Sequence, residues 1–312
     1  MKLGIGLTNF SWEGPPSEIA AQIARIATLA DEAGLDGISV LDHLVQVPGL
    51  NAVPIEAPIL EGYTLLAFIA WQTTRVRLIT LATAPHNRHP ALLVKMVTSL
   101  DVLSGGRAML GVGAGNDPDS TEGGEVALGI LCPPVDERYQ RLEELLQIAT
   151  RMWSGDETPH HGLHYRLERP LNSPNSLQRP HPPILVAGSG ERRTLRLAAQ
   201  YADACHIPGV LPFADWRALA ERKVGVLRAH CNELGRDYDE IEKVAGTPFL
   251  PGDDPREGAR KLTEFLHQLA GSGFDGATLV NRGRPWNESD LDALASIVPE
   301  VHDIPTRAGA AA

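Results

Sequence analysis

The chain of 312 residues has few cysteines and no long apolar run. Its three cysteines are far apart and odd in number, which argues against a disulfide framework and for a reducing compartment. No apolar run approaches the roughly 20 residues that a membrane-spanning helix requires. The N-terminal segment lacks the long apolar core and the cleavage site of a secretory signal. We therefore expect a cytoplasmic protein without a membrane partner.

The chain also lacks an excess of positive charge, since its formal net charge is -11 at pH 7. A strongly acidic protein without a basic patch repels the phosphate backbone of nucleic acids, so we expect no nucleic-acid partner. Apolar residues make up 43% of the chain and charged residues 21%, which is ordinary for a globular protein with a large core. Any anionic ligand must be held by a local site.

Short apolar segments alternate with stretches of helical spacing along the chain. The eight predicted strands are residues 3–9, 37–41, 76–83, 108–113, 184–187, 204–207, 243–249 and 277–280. Eight strand-then-helix units with strands too apolar to face water predict an α/β fold, a closed parallel (β/α)8 or TIM barrel. A doubly wound sheet is the alternative. Its GxGxxG fingerprint should follow the first strand, which carries only Gly4 and Gly6.

Two Pro- and Gly-rich segments interrupt this alternation, at residues 116–134 and 155–183. Loops of this length in a compact domain are usually functional or disordered. We place both as insertions at the C-terminal face of the barrel, where they would wall a pocket. We assign residues 1–305 to a single barrel domain and expect residues 306–312 to be a short disordered tail.

One strand-to-helix junction predicts an anion site. The strand at residues 184–187 stops on Gly188, Ser189 and Gly190 and is expected to turn straight into a helix. Small residues let backbone N–H groups approach an oxyanion, and a helix N-terminus adds a partial positive charge. The expected guest is a phosphate. The alternative is that the glycines only allow a tight turn.

Polar residues end a second predicted strand, where Asp42 precedes His43. Residues at the C-terminal ends of barrel strands usually carry the chemistry, and a histidine exchanges a proton near neutral pH. His43 is therefore the best single catalytic candidate, although an Asp-His pair could also only tie a loop to the barrel. Gly111, Gly113 and Gly115 leave room for a flat ligand or fill a crowded interior layer.

Three histidines, His160, His161 and His164, lie in one of the two insertions. They have no cysteine and no obvious fourth ligand near them in the sequence. We expect no metal site there or elsewhere.

Five motifs, in this order over nearly the whole chain, resemble the luciferase-like monooxygenase superfamily, and within it the coenzyme F420-dependent oxidoreductases. They are Asp42-His43, RHPALLVK at 88–95, LDVLSGGRAMLGVGAG at 100–115, RLEELLQIATRMWSG at 141–155, and PPILVAGSGERRTLRLAAQYADAC at 182–205. The resemblance implies a barrel that binds the deazaflavin F420, or FMN in some members, with the ring across the strand ends. It also implies a phosphate on residues 188–190, a small-molecule substrate and a homodimer.

The resemblance further implies a non-proline cis peptide within residues 81–83, behind the ring of the cofactor. The residues that it assigns to the cofactor are Asp42, His43, Leu81, Ala82, Thr83, Gly115, Asn116, Ala187, Gly188, Ser189, Gly190 and His206.

The chain departs from the family pattern around this ring site. Asn116 stands where some members have a proton-donating glutamate, and His206 replaces the usual asparagine. We assign His43 and Asn116 as catalytic candidates. Because Asn116 cannot titrate, the proton should come from His43, Asp117, His206 or the substrate.

The predicted function is that of an F420-dependent reductase or dehydrogenase, which transfers a hydride between carbon C5 of the deazaflavin and a small organic substrate. An FMN-dependent monooxygenase is the alternative. A second alternative is a binding or scaffold protein that has lost the cofactor.

Overall fold

The computed structural model describes residues 1–116, 124–209 and 216–306. Asp117 and residues 307–312 of the predicted tail lie outside the described residues. The strands are β1 Lys2–Leu7, β2 Gly37–Val40, β3 Arg77–Thr80, β4 Ala108–Val112, β5 His160–His161, β6 Arg166–Leu167, β7 Ile184–Ala187, β8 Ala204–Ile207, β9 Glu242–Pro248 and β10 Gly276–Val280. The helices are α1 Ile19–Glu32, α2 Pro48–Asn51, α3 Gly62–Gln72, α4 Pro90–Ser104, α5 Val135–Ser154, α6 Thr194–Tyr201, α7 Trp216–Leu234, α8 Pro255–Gly271 and α9 Glu288–Asp303.

Eight of these strands close into a barrel in the order β1-β10-β9-β8-β7-β4-β3-β2. Every neighbouring pair is parallel, and in the register of β1 residue Gly4 lies opposite Gly37 on one side and Thr278 on the other. The predicted (β/α)8 barrel is confirmed. The third strand ends earlier than predicted, at Thr80, and Thr83 makes only an isolated bridge to Val112.

Alternate strand residues face two separate apolar clusters. Leu78 and Leu110 belong to the large cluster that the strands share with the surrounding helices. Their neighbours Ile79 and Met109 belong to a small cluster with Leu185 and Ala204. Since successive side chains of a strand point to opposite faces, the small cluster fills the inside of the barrel.

Local signals begin and end the helices. Pro90 occupies the first turn of α4, where its missing N–H costs nothing, and Gly105 ends that helix with φ of 70°. Asn287 and Asp290 form a reciprocal capping box at the start of α9. Among the described helices, none combines the length and the apolarity needed to cross a bilayer.

The insertion at 155–183 departs from its predicted place. It follows α5 and precedes β7, so it starts and ends at the N-terminal face of the barrel. Its hairpin β5-β6 lies along α5, where Glu144 accepts hydrogen bonds from His160 Nε2 at 2.9 Å and from Tyr165 N at 3.1 Å. The Tyr165 hydroxyl donates to Pro85 O at 2.9 Å. The hairpin supports the loop after β3 from outside the barrel.

Gly111 offers a test of how closely β3 and β4 pack. A Cβ at this position would lie 1.9 Å from Thr80 O, so the strands could not keep their separation. We expect Gly111→Ala to destabilise the fold by about 3 kcal/mol, the upper part of the usual range for overpacking. The measurement is the free energy of unfolding in urea.

Gly225→Ala is the matched control, because Gly225 lies within α7 with nothing within 4 Å of an added Cβ. It should stabilise the fold by up to about 1 kcal/mol, the difference in helix propensity. Equal stability of Gly111→Ala and the wild type would contradict the packing described here.

Candidate active site

A cavity of about 500 Å³ opens at the C-terminal ends of the barrel strands. Eleven of the twelve residues that the sequence assigns to the cofactor line it: Asp42, His43, Leu81, Ala82, Gly115, Asn116, Ala187, Gly188, Ser189, Gly190 and His206. They come from the ends of β2, β4, β7 and β8 and from the segment after β3. Closure of the barrel therefore brings together residues that lie up to 164 positions apart.

The twelfth residue, Thr83, lies behind the wall and does not line the cavity. It is fully buried, and its hydroxyl lies 3.0 Å from both Tyr63 Oη and Thr80 Oγ1. Its backbone N–H donates to Gly111 O at 2.9 Å, and its carbonyl accepts from Gly113 N at 3.0 Å. Thr83 therefore anchors the cavity wall to β4.

The expectation of a non-proline cis peptide within residues 81–83 is confirmed, because the bond between Leu81 and Ala82 is cis. Both residues line the cavity. Gly113 lies opposite, where an added Cβ would approach Ala187 O to 3.1 Å and Ala82 Cβ to 3.7 Å. Backbone and small side chains thus form this wall of the cavity.

One carboxylate oxygen of Asp42, Oδ2, is held by the protein, whereas Oδ1 is buried without a hydrogen-bond partner among the described residues. Its side chain is 1% exposed and forms an ion pair with Arg88. Arg88 also contacts Glu61 at 2.6 Å and lies 5.0 Å from the centroid of the Tyr63 ring. Burial opposes the charge of Arg88, but the hydrogen bond and the charge of Asp42 outweigh it and raise the guanidinium pKa. The pair ties the loop after β2 to the loop before α4.

His43 faces the cavity between two polar partners. Its Nδ1 lies 2.8 Å from Glu125 Oε1, which also accepts a hydrogen bond from Leu44 N at 3.2 Å. Its Nε2 lies 3.5 Å from Asn116 Nδ2. Burial opposes the charge of Glu125, but the hydrogen bond with His43 outweighs it, so the pKa of Glu125 is lowered.

The sequence analysis missed Glu125. It lies in the insertion at 116–134, on a short 3-10 helix over Gly124–Leu128, and lines the cavity with Val126. No local motif marks it, because its partner His43 is 82 residues away in the chain. The insertion at 116–134 thus walls the pocket as expected. The one at 155–183, all of it described, contributes no lining residue.

The glycines after β7 leave an open cradle. Gly188 has φ of 130°, and an added Cβ there would meet Thr194 Cγ2 at 3.1 Å. A Cβ on Gly190 would meet Thr194 Oγ1 at 2.8 Å and Tyr139 Oη at 3.1 Å, and those two hydroxyls lie 2.8 Å apart. The prediction that a helix follows the strand β7 and its glycines directly is wrong. Residues 191–193 form a turn, and α6 begins at Thr194.

Buried polar atoms on the adjacent strands β8 and β9 have no protein partner in the described part of the chain. They are His206 Nε2 and Thr247 Oγ1, and both residues line the cavity. Burial lowers the pKa of His206 to about 4, so its imidazole is neutral at pH 7. A Cβ on Gly246 would lie 2.8 Å from the His206 ring, so the ring occupies the space that this glycine leaves.

These features together fit a ligand with a flat polar ring and an anionic group. Unpartnered buried polar atoms cost free energy unless a ligand or a water satisfies them. The open glycine cradle suits a phosphate, and the backbone wall at Ala82 and Gly113 suits the face of a ring.

The three histidines of the hairpin region have separate partners. His160 contacts Glu144, and His164 Nε2 lies 2.9 Å from Gln140 Oε1. His161 Nε2 lies 3.4 Å from Glu168 Oε2. Within the described ranges, no three His, Cys, Asp or Glu side chains are grouped so that they could hold a metal ion.

The family model described as luciferase-like monooxygenase matches residues 1–309 of the chain. The F420-dependent glucose-6-phosphate dehydrogenase of Nakamurella multipartita is 29% identical over 256 residues, which are 80% of this chain and 69% of that protein. The enzyme of the same name from Microbacterium testaceum is 30% identical, with the same coverage. The oxygenase component of a flavin-dependent trigonelline monooxygenase from Acinetobacter baylyi is 23% identical, over 96% of this chain and 79% of that protein.

Solved structures share the fold. An F420-dependent secondary alcohol dehydrogenase, in complex with an F420–acetone adduct, superposes with a TM-score of 0.75 at 17% identity, covering 97% of this chain and 100% of that one. A long-chain alkane monooxygenase superposes with a TM-score of 0.76 at 17% identity, covering 97% of this chain and 91% of that one.

The burial of His206 predicts a pH dependence of stability. Between pH 6.5 and about 4 the unfolded chain binds a proton at this residue and the folded chain does not, so stability falls as the pH falls through that window. His206→Gln should remove up to about 3 kcal/mol of this loss. The measurement is the free energy of unfolding in urea at several pH values between 4 and 7.

His161→Gln is the control, because it removes an exposed histidine. It should keep the wild-type pH profile. A His206→Gln profile as steep as that of the wild type would show that the His206 ring is not the source of the acid sensitivity.

Proposed function

Because the chain belongs to the luciferase-like monooxygenase family, we propose that it is a coenzyme F420-dependent dehydrogenase or reductase acting on a small organic substrate. The observation that carries the proposal is one cavity that joins the glycine cradle after β7 to the ring nitrogen His43 Nε2. The F420-dependent relatives, 29% and 30% identical over 80% of the chain, favour this cofactor.

Coenzyme F420 supplies hydride transfer at a deazaflavin carbon and does not readily react with oxygen. The residues of this chain would bind and orient the cofactor and the substrate and would transfer one proton. Gly188 and Gly190 would hold the phosphate, while Ala82 and Gly113 would support the ring. His43 Nε2 would exchange a proton with the substrate, and Asn116 could donate a hydrogen bond to the substrate but no proton.

An FMN-dependent monooxygenase is the second candidate. It is favoured by the flavin-dependent relative from Acinetobacter baylyi, whose match spans more of the chain than the matches of the F420-dependent relatives. The same cradle and the same wall would serve FMN, because both cofactors have a flat ring system and a phosphate. The reaction class therefore depends on which cofactor binds.

The remaining expectations are proposals of the same standing. We propose that residues 1–305 form one domain, that the protein acts in the cytoplasm and that it is a homodimer. Size-exclusion chromatography with light scattering measures the mass in solution directly, and a monomer mass would end the proposal of a dimer.

Titration with F420 and with FMN, followed by fluorescence or calorimetry, tests the cofactor. We expect F420 to bind more tightly than FMN. Gly190→Ala should weaken F420 binding at least about tenfold, because the added Cβ crowds the hydroxyls of Thr194 and Tyr139 in the cradle. Gly225→Ala, on α7, should bind like the wild type.

Preference for FMN would replace the proposal by the monooxygenase, to be followed through oxygen consumption. Binding of neither cofactor would leave a binding or scaffold protein as the better description. Unchanged affinity of Gly190→Ala would remove the cradle from the binding site.

Turnover of His43→Ala tests the role of the imidazole. The substrate is first identified with a panel of alcohols and sugars and oxidised F420. Loss of the acid–base group should lower kcat about 100-fold, while circular dichroism and cofactor affinity confirm the fold. Exposed His161→Ala is the control and should retain the wild-type kcat. Near-normal turnover of His43→Ala would end the assignment.

A further inference from the structure

Glu125 is the one acidic side chain that contacts the imidazole of His43 in the described part of the cavity. The two side chains are 15% and 17% exposed, so water screens their interaction only partly. The carboxylate oxygen that contacts His43 Nδ1 at 2.8 Å is also held by the backbone N–H of Leu44 at 3.2 Å. Glu125 is therefore fixed against the residue that follows His43 as well as against its ring.

The two neighbours of the ring select one tautomer. An ionised carboxylate only accepts hydrogen bonds, and the hydrogen bond with His43 lowers the pKa of Glu125 despite its burial. The proton of a neutral His43 therefore lies on Nδ1. On the other side of the ring, the amide Nδ2 of Asn116 only donates, and it lies 3.5 Å from Nε2. Both contacts leave the lone pair on Nε2.

We propose that Glu125 is a positioning residue that fixes the Nδ1–H tautomer of His43 and so makes Nε2 the atom that exchanges the proton with the substrate. This inference rests on the proposed function. In the oxidation of an alcohol, Nε2 would take the O–H proton and the electron pair of that bond would form the carbonyl, while bound F420 would supply the acceptor for the hydride that leaves the carbon. The reverse reaction returns the proton from Nε2.

The pair also accounts for Asn116. Because the residue beside Nε2 is a neutral amide, no second carboxylate at that position competes with Glu125 for the ring proton. Glu125 instead places its negative charge behind the ring, where it stabilises the imidazolium without competing for Nε2. Glu125 lies nine positions after Asn116 in the chain, on the 3-10 helix over Gly124–Leu128.

Several other titratable groups near the cavity are paired with other residues or neutral. The further titratable residues that line it are Asp42, His86, Cys132, Tyr139, His206 and Arg282. Asp42 is paired with Arg88, and Arg282 donates to Gly49 O at 3.1 Å. Burial and the positive charge of Arg138 lower the pKa of His86, which makes that imidazole neutral at pH 7. Glu125, by contrast, lies within hydrogen-bond distance of the His43 ring.

Nitrogen-15 NMR of the cofactor-free protein, with histidine labelled, tests the proposal without any substrate. The resonances of His43 are assigned by their loss in His43→Ala. We expect the wild type to carry the Nδ1–H tautomer when neutral. Glu125→Ala should shift His43 toward the Nε2–H tautomer, which a free histidine side chain prefers in water.

Glu125→Gln separates the charge from the hydrogen bond. Its amide oxygen can still accept from Nδ1–H, so the Nδ1–H tautomer should persist although the negative charge is gone. Glu137→Gln is the control, because it removes a carboxylate of α5 that pairs with Arg141. It should not change the tautomer of His43.

Activity gives an independent readout once the substrate is known. Glu125→Ala should lower kcat about tenfold with little change in KM, because the ring still binds but offers the wrong nitrogen. Glu125→Gln should retain most of the wild-type kcat, because its amide oxygen still accepts the hydrogen bond from Nδ1–H.

An unchanged tautomer in Glu125→Ala, or loss of the Nδ1–H tautomer in Glu125→Gln, overturns the proposal. If F420 fails to bind while the NMR shifts appear as expected, the proposed cofactor is wrong and the role of Glu125 stands. If F420 binds and the NMR shifts are absent, the proposed cofactor stands and the role of Glu125 is wrong. Circular dichroism of both variants distinguishes these outcomes from unfolding.

Discussion

Closure of the parallel barrel is the constraint on which the rest of this structure depends. Every strand of the barrel hydrogen-bonds to two parallel neighbours, so all eight C-terminal ends lie at one face. The barrel can close around a cavity because small residues face inward near that end. Gly111 lets β4 approach Thr80 O, and Gly246 makes room for the ring of His206. Gly113 has no side chain to fill the space beside Ala82 and Ala187. The cavity follows from the geometry of the strands and from these glycines, which have no side chain to fill it.

Because the charged groups at this face are buried, the properties of each depend on its particular neighbours. Asp42 and Arg88 form an ion pair that holds two loops together, and the next residue, His43, also lines the cavity. His43 is in turn held by Glu125. By contrast, His206 is buried without a protein partner for Nε2 and is kept neutral by its surroundings. These two histidines of one face therefore have different properties, because His43 has an acid beside it whereas His206 is buried without a charged partner among the described residues.

The two insertions have different roles although their compositions are similar. The one at 116–134 begins at the C-terminal end of β4, so it lies over the cavity and brings Glu125 to His43. The one at 155–183 begins at the end of α5, on the opposite face of the barrel, and packs along that helix. In a barrel, loops that follow strands can reach the site directly, whereas loops that follow helices start on the far side.

The amino-acid sequence alone predicted the barrel, since eight apolar segments separated by helical stretches have few other ways to be buried. It also placed Asp42, His43 and the glycines at 188–190 at strand ends, because turn chemistry and strand length are local properties. The folded chain was needed to show that Asp42 pairs with Arg88, that Thr83 lies behind the wall, and that Glu125 contacts His43. Such contacts join residues distant in the chain, and their geometry depends on how the barrel closes and on where each loop returns, which no local pattern encodes.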